Sequence, residues 1–460
     1  MTVPLLPSRL NFIDQLAFEL FRLTGRNQLM QCVWIYAREV DLEGLRRVCQ
    51  RWCDLPCNRL IEPSPLPFGR PRWVRDNRTA SIQTSDDVLP RASLLSWANR
   101  HAQTPLDPVN GPAWHVSVQR FDDGSSAVSI VGSHLIFDGL GTLLWIQEAV
   151  AGSDVRADID PKPQQARHPL IGVIGDGWQA LLDVSKTMHA LLHATRLAVG
   201  AGIGRICDVR SPGPARETSH NVSSREADIV SLPSVTAFID AALWDERARS
   251  LGGHSYSLLA ALAARVAAYM DRKRPSDGAV SLLVTVNQRR GLEDYRAIAI
   301  TFCKVLVDPL QATQNLREIG ASLKSAVRDA KRRSEPILKL FPLVPWMPRS
   351  TTAALVDRVF TYADDLPVSC SNLGTLPASV GCIDGTPCTS LLARGVDTNV
   401  TLRDLYRSHG HLVVVASRFN GKVCVSVEAY RLDADNSSEH LRDVLQSTLC
   451  ELGLEGLVEC

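Results

Sequence analysis

Val131-Gly-Ser-His-Leu-Ile-Phe-Asp-Gly139 joins an apolar strand to a helix through one histidine and, four residues later, an aspartate-glycine step. Upstream, Ala127 to Val131 has the β-branched character of a buried strand. Downstream, Leu140, Leu143, Leu144 and Val150 fall at helical spacing. If the strand runs to His134, period-two alternation sets the imidazole on the interior face shared by Val128, Ile130 and Gly132. Asp138 then stands at an N-cap position, and Gly139 permits the sharp strand-to-helix turn. A histidine at a strand end beside a buried wall is placed to take a proton near neutral pH. The local pattern equally permits a core histidine bonded to backbone, with Asp138 only a helix cap.

The chain of 460 residues is long enough for two domains or one large pseudo-duplicated one. Residues 151–169 and 205–226 are rich in Pro, Gly, Ser, Asp and Arg and read as linkers. A new pattern begins after the second, which sets units at 1–210 and 211–460. Lys plus Arg number 50 and Asp plus Glu 49, so no global field attracts nucleic acid, and a small-molecule substrate is expected. The start, Met1-Thr-Val-Pro-Leu-Leu-Pro7, lacks the basic, continuously apolar form of a secretory signal. A cytoplasmic, reducing setting is the default expectation for the 12 cysteines. Cys49, Cys53 and Cys57 recur every four residues without a Cys-x-x-Cys pair and read as buried apolar thiols, and His409 and His411 lack further partners at ligand spacing. No metal is expected. No apolar run reaches the length of a membrane span. Residues 178–206, broken by Asp183, Lys186, His189, His193 and Arg196, read as an amphipathic helix packed on the body, with peripheral membrane contact as the alternative.

In order, the pattern predicts a helix over 11–23, a strand over 31–37 and a helix capped by Asp41 and running to Trp52. Residues 55–86 should hold short strands between proline-rich loops, and 92–102 a short helix. Trp114 to Phe121 and Ser126 to His134, joined by Asp122-Asp-Gly-Ser125, form the clearest hairpin. In the second half, strands are expected over 235–241, 281–286, 297–307, 411–417 and 422–430, the last two joined at Asn420-Gly421. Helices are expected over 243–251, 257–270, 313–333 and 437–452, and a proline-rich loop over 335–348. The similar strand-helix order of the halves is compatible with an ancient duplication.

His134-Leu-Ile-Phe-Asp138-Gly139 resembles the HxxxDG core of the HHxxxDG signature of the CoA-dependent acyltransferase superfamily. That group includes peptide-synthetase condensation domains, wax ester/diacylglycerol acyltransferases, polyketide-associated acyltransferases and chloramphenicol acetyltransferase. Ser133 replaces the first histidine of the usual pair, while the second, the family's catalytic one, is present as His134. Pro112-Ala-Trp114 resembles the Pro-x-Trp element of the wax ester/diacylglycerol acyltransferases, and Ser371-Asn372-Leu-Gly374 resembles their Ser-Asn-x-x-Gly element with one spacer residue fewer before the glycine. Val284 to Arg290 resembles the strand-end segment whose arginine pairs with the motif aspartate, with Arg289 the best match. These elements occur in the superfamily's order over roughly residues 10–455.

The resemblance implies an α/β (α+β) fold of two chloramphenicol-acetyltransferase-like subdomains forming a pseudo-dimer around a central tunnel. It implies an acyltransferase with His134 as general base, Asp138 and Gly139 shaping its loop, and Ser133, Arg289, Ser371 and Asn372 in support. An Arg289 guanidinium beside Asp138 would fix the loop by a bidentate contact. Ser371 or Asn372 would donate to the tetrahedral oxyanion. The donor would be an acyl-CoA or acyl carrier protein thioester and the acceptor an alcohol, with no bound cofactor. Two alternatives stay open: an amine acceptor, giving an amide, and a non-catalytic member that binds a carrier protein or acyl chain. The basic stretch 313–333 offers either a landing site for an acidic carrier protein or CoA phosphates, or a solvated face.

Overall fold

The structure, a computed structural model, describes residues 9–152, 169–200, 229–291, 294, 296–332, 336–347 and 366–460. In chain order its elements begin with α1 (Phe12–Thr24), β1 (Asn27–Tyr36), α2 (Leu42–Asp54), β2 (Arg59–Glu62), β3 (Arg72–Arg75) and β4 (Ile82–Leu89). There follow α3 (Leu94–Ala102), β5 (Trp114–Phe121), β6 (Ser126–Ser133), α4 (Gly139–Ala151) and α5 (Pro169–Gly200). The second half holds β7 (Ser234–Asp240), α6 (Ala241–Ser250), α7 (Ser255–Tyr269), β8 (Val280–Asn287), β9 (Ile300–Val307) and α8 (Arg317–Arg332). It ends with β10 (Val368–Thr375), β11 (Ser390–Thr398), α9 (Leu402–Arg407), β12 (His411–Phe419), β13 (Lys422–Tyr430), α10 (Ser438–Glu451) and β14 (Gly456–Glu459).

Local chemistry explains most helix starts. Asn11 accepts from the N–H groups of Ile13 and Asp14, and Asp41, Asp138, Asp240 and Ser437 cap α2, α4, α6 and α10 in the same way. In α2, Leu45, Val48 and Trp52 turn inward together with Cys49 and Cys53. Burial pushes the Cys49 thiol up to about 12, and Cys57, beyond the helix end, is buried as well. The proline-rich segment expected as a loop is instead a 3-10 turn over Pro336–Trp346, since proline, fixed in φ and without an N–H, fits short 3-10 stretches.

Two mixed sheets organise the described residues. The first runs β11-β1-β6-β5-β4 and the second β14-β7-β13-β12-β10-β8-β9. β4 lies parallel to β5, and β10 parallel to both β8 and β12. In the first sheet Val128, Ile130 and Trp34 face α2 and α4, with Trp52, Trp114 and Phe137 in the same apolar cluster. In the second, Val284, Cys370 and Val414 face α7, whose residues from Ser257 to Ala264 are all buried.

Strand β11 lies well beyond position 211 in sequence, yet it extends the first sheet, pairing antiparallel with β1 from Asn27↔Thr398 to Ile35↔Ser390. The linker 205–226 lies outside the described residues. Arg394 of β11 fastens the crossing. It is 1% exposed, and donates to Gln31 Oε1 through Nε (2.9 Å) and Nη2 (2.7 Å), to Ser234 Oγ of β7 through Nη1 (2.8 Å), and to Asn99 Oδ1. Burial lowers its pKa to about 10. Gln31 continues the chain of bonds to Ser129, whose hydroxyl meets His101, which in turn meets His115. Burial depresses the pKa of both histidines, in His101 to about 3, so neutral rings bridge the interior.

Arg394→Ala would strand several buried acceptors at once. The expected loss is about 3 kcal/mol or more, read as a lower urea midpoint. Arg394→Lys should recover only part, because an ammonium cannot reproduce the guanidinium fork; midpoints equal to that of the native chain would show that the crossing does not rest on this side chain.

Candidate active site

The histidine loop lies where the two halves meet. β6 stops at Ser133, one residue before His134, so strand alternation does not set the imidazole's direction. His134 is held through its backbone N–H, which donates to Gln28 O at 2.8 Å, and its side chain is partly exposed. Ser133 is fully buried; its Oγ donates to Asn27 Oδ1 (3.1 Å) and accepts from Leu135 N–H (3.3 Å). Serine at this position therefore closes the strand end from inside.

The residues between His134 and Asp138 are gripped on several sides. Arg59 Nη2 donates to Ile136 O at 3.1 Å, while its guanidinium stacks 3.8 Å above the Trp73 ring. Phe137 meets Trp52 edge-on with ring centroids 5.9 Å apart, and Trp52 packs at 5.6 Å on Trp114, the tryptophan of the Pro-x-Trp element. Gly132 leaves room for that ring: a Cβ there would come within 2.2 Å of Phe137 Cζ.

Asp138 is 1% exposed, and its carboxylate is met from both halves. Oδ1 accepts from Gly141 N–H (2.6 Å), capping α4. Oδ2 accepts from Arg289 Nη2 (2.9 Å) and from Ala299 N–H (2.8 Å), both beyond β8. The arginine contact is thus single rather than bidentate, with Arg289 Nη1 turned to Asp294 O instead. Arg289 also donates to the backbone oxygens of Asp294, Arg296 and Ala297. The expected strand over 297–307 accordingly begins only at Ile300. Ala297 and Ala299 each give one backbone group to the loop instead, Ala297 O accepting from Asp138 N–H at 3.0 Å and Ala299 N–H donating to its carboxylate.

Gly139 has no left-handed φ, so backbone freedom is not its requirement. Space is: a Cβ would lie 3.0 Å from Leu373 Cδ2 and 3.2 Å from Met30 Cε, and at Gly141 it would lie 2.9 Å from Arg289 Nη2. Leu373 belongs to the Ser371–Gly374 stretch, which brings the end of β10 against the motif. Ser371 Oγ lies 2.9 Å from Thr285 Oγ1 of β8, and both side chains are on the sheet face turned away from α7. Asn372 Oδ1 accepts from Gly374 N–H at 2.9 Å, so one end of its amide is committed to the turn.

A second carboxylate, which sequence reasoning passed over, supports the same segment. Asp14 is 2% exposed on α1 and accepts from Ile298 N–H (2.9 Å) and Ala297 N–H (3.4 Å). An acid in the first turn of a helix reads as a favourable dipole partner, and that obscured it. The available signal was its i, i+4 spacing to Phe18, which places it on the buried side. Burial lifts the Asp14 carboxyl to about 6, opposed by the two N–H groups and the Arg59 charge and reinforced by Asp138. Burial likewise lowers Arg59 to about 10, opposed by Asp14. Two carboxylates and two guanidiniums thus form one buried group spanning the halves.

Among the described residues one cluster has ligand spacing for a cation, Asp397, His411 and Glu428. His411 Nε2 is 3.2 Å from Glu428 Oε1, and Arg26 already pairs with Asp397 at 3.4 Å. On α8, Arg317, Lys324, Arg328, Lys331 and Arg332 are exposed.

No protein-family model matches this chain, and no curated protein does. Solved structures do. The chain is similar to the first condensation domain of the calcium-dependent antibiotic synthetase at TM-score 0.56 and 14% identity, covering 96% of this chain and 95% of that one. It is similar to a wax ester synthase/diacylglycerol acyltransferase from Marinobacter aquaeolei VT8 at TM-score 0.53 and 14% identity, covering 97% and 98%. It is similar to the nonribosomal peptide synthetase FmoA3 at TM-score 0.53 and 17% identity, where 97% of this chain spans 44% of that protein. The chain has the fold of these condensation domains and of the wax ester synthase/diacylglycerol acyltransferase, a chloramphenicol-acetyltransferase-like pseudo-dimer.

Because the fold holds the Asp14 proton more tightly than the unfolded chain does, its stabilisation is full below the ordinary value of 3.8 and is lost as pH rises through about 6. The stability of the native chain relative to Asp14→Asn should fall by on the order of 1–3 kcal/mol across that window, measured by denaturant unfolding. A difference that does not change with pH would show that Asp14 takes up no extra proton in the fold.

Proposed function

We propose that this protein is an acyltransferase that moves an acyl group from a CoA or carrier-protein thioester to an alcohol, with His134 as general base. The observation that carries the reading is the loop itself. A histidine with a partly exposed ring follows directly on a buried strand, and the aspartate four residues on is buried and bonded to both halves of the fold. Rigid support beneath one accessible imidazole suits a proton acceptor whose position must be fixed.

In the proposed reaction Nε2 of His134 takes the acceptor hydroxyl proton as its oxygen attacks the thioester carbonyl. The tetrahedral intermediate collapses, the C–S bond breaks, and the imidazolium returns its proton to the departing thiolate. Asp138 positions the loop without touching substrate. If Thr285 donates to Ser371, the Ser371 hydroxyl proton is free for the oxyanion, and the uncommitted NH₂ of Asn372 is a second donor. A carrier protein or the phosphates of CoA would find the exposed cations of α8 complementary.

Thiol release from a panel of acyl-CoA and carrier-loaded donors, with alcohol and amine acceptors, tests this. His134→Ala should lower acceptor-dependent release by at least ~10², and Ser371→Ala should lower kcat with less effect on KM. Release with amines alone would change the product to an amide. Ser133 in place of the first motif histidine favours a second reading, a member that binds an acyl chain or carrier without transferring it. Intact thioesters under every condition, with a carrier or acyl chain still bound, would establish that one.

A further inference from the structure

Helix α5 is attached to the protein by its charges and turns its apolar side outward. Its sequence holds two acids, Asp176 and Asp183, two turns apart and therefore on one face. They are 2% and 6% exposed. Asp176 Oδ1 pairs with Arg9 Nη2 at 2.5 Å and its Oδ2 accepts from Ser64 Oγ. Asp183 Oδ2 lies 2.8 Å from Arg70 Nε, while its Oδ1 accepts from Lys186. Buried carboxylates are tolerated only when paired, so these contacts fix the helix's rotation about its axis.

The opposite face consists of Ile174 (73% exposed), Trp178 (65%), Leu181 (60%), Leu182 (55%), Met188 (50%) and Leu192 (52%). From Ile174 to Leu192 this stripe is about 27 Å long at helical rise. Isolated exposed apolar residues need no explanation, but a continuous stripe of this length marks a surface that something covers. The charges on its flanks say what. Both acids are inside, so the outward half of α5 carries no carboxylate, while Lys186, His189 and Arg196 are exposed. The 3-10 turn packed against α5 adds exposed Lys339 and Trp346, the latter 48% exposed and stacked on Phe68 at 4.9 Å. A long apolar stripe with tryptophans, on a helix whose exposed charges are basic among the described residues, is complementary to a lipid interface bearing negative headgroups.

We infer that α5 is a membrane-docking helix that lays its Ile174–Leu192 face into an anionic bilayer surface while Asp176 and Asp183 hold it to the protein. The inference does not rest on the acyl-transfer reading, since its readout is lipid binding.

The test is co-sedimentation of the full chain with vesicles of phosphatidylcholine alone and of phosphatidylcholine and phosphatidylglycerol in equal parts. The native chain should pellet with the anionic vesicles, less so at high salt. The combined variant Ile174→Asn, Trp178→Ser, Leu181→Gln and Leu192→Gln should bind at least about tenfold more weakly with an unchanged thermal midpoint, because every altered side chain is exposed. Arg196→Glu with Lys339→Glu should remove the preference for anionic lipid. Three results would overturn the inference: a native chain that stays in solution with both vesicles, a fourfold variant that pellets equally well, or a lipid-free dimer that the fourfold variant abolishes, which would assign the face to a second copy of the chain.

Discussion

The carboxylate of Asp138 is the constraint on which the active-site architecture depends. One oxygen starts α4 and the other receives a guanidinium and a backbone N–H from the second half of the chain. Taking such a group out of water is expensive, and pairing with arginine only partly offsets it. What the arrangement provides is position. The donors arrive from α4 and from the segment after β8, so the loop has one place to sit only when both halves are assembled. Asp14 and Arg59 extend the logic: Asp14 holds Ala297 and Ile298, and Arg59 holds Ile136. Two carboxylates face two guanidiniums, which keeps four buried ionisable side chains near neutrality overall.

The crossing strand β11 solves a related problem at the other edge of the first sheet. A seam between two sheets held only by side chains would leave β1 with an open edge. Strand β11 closes that edge with nine paired residues, from Ile35↔Ser390 to Asn27↔Thr398. Arg394 then reaches from it to β1, α3 and β7. Both arginine centres lie at the contact between halves, one beside the histidine loop and one behind the sheet. The halves are therefore joined through backbone as well as side chains.

Much of the fold was legible because its elements are locally consistent. The hairpin of β5 and β6, the caps at Asn11, Asp41 and Ser437, and the Asn420-Gly421 turn each announce themselves within a few residues. What stayed hidden depends on distant partners. β11 alternates poorly because both its faces are largely buried, and its place beside β1 is a fact of topology some 360 residues apart. In the site, His134, Asp138 and Arg289 could be singled out from motif order, whereas Asp14 looks like any first-turn acid until the strand expected over 297–307 is seen to release its first residues toward it. The single contact between Arg289 and Asp138 was also beyond reach, since Arg289 Nη1 is given to the backbone oxygen of Asp294.

Helix α5 shows why an amphipathic pattern does not by itself say which side faces the protein. Periodicity fixes the faces, and burial of apolar area favours turning the apolar one inward. Here that preference is overruled by Asp176 and Asp183, which meet Arg9 and Arg70 in positions a rotated helix could not reach. Arg70 also stacks on Phe12, two residues before Asp14 on α1. Less than one turn of α1 thus stands between the helix's anchor and the segment that braces the histidine loop. Contiguity of this kind is not coupling, which needs an element with two states. It does mean that in both places the chain uses buried, paired carboxylates for the same physical purpose, to fix an orientation that hydrophobic burial alone would leave free or reverse.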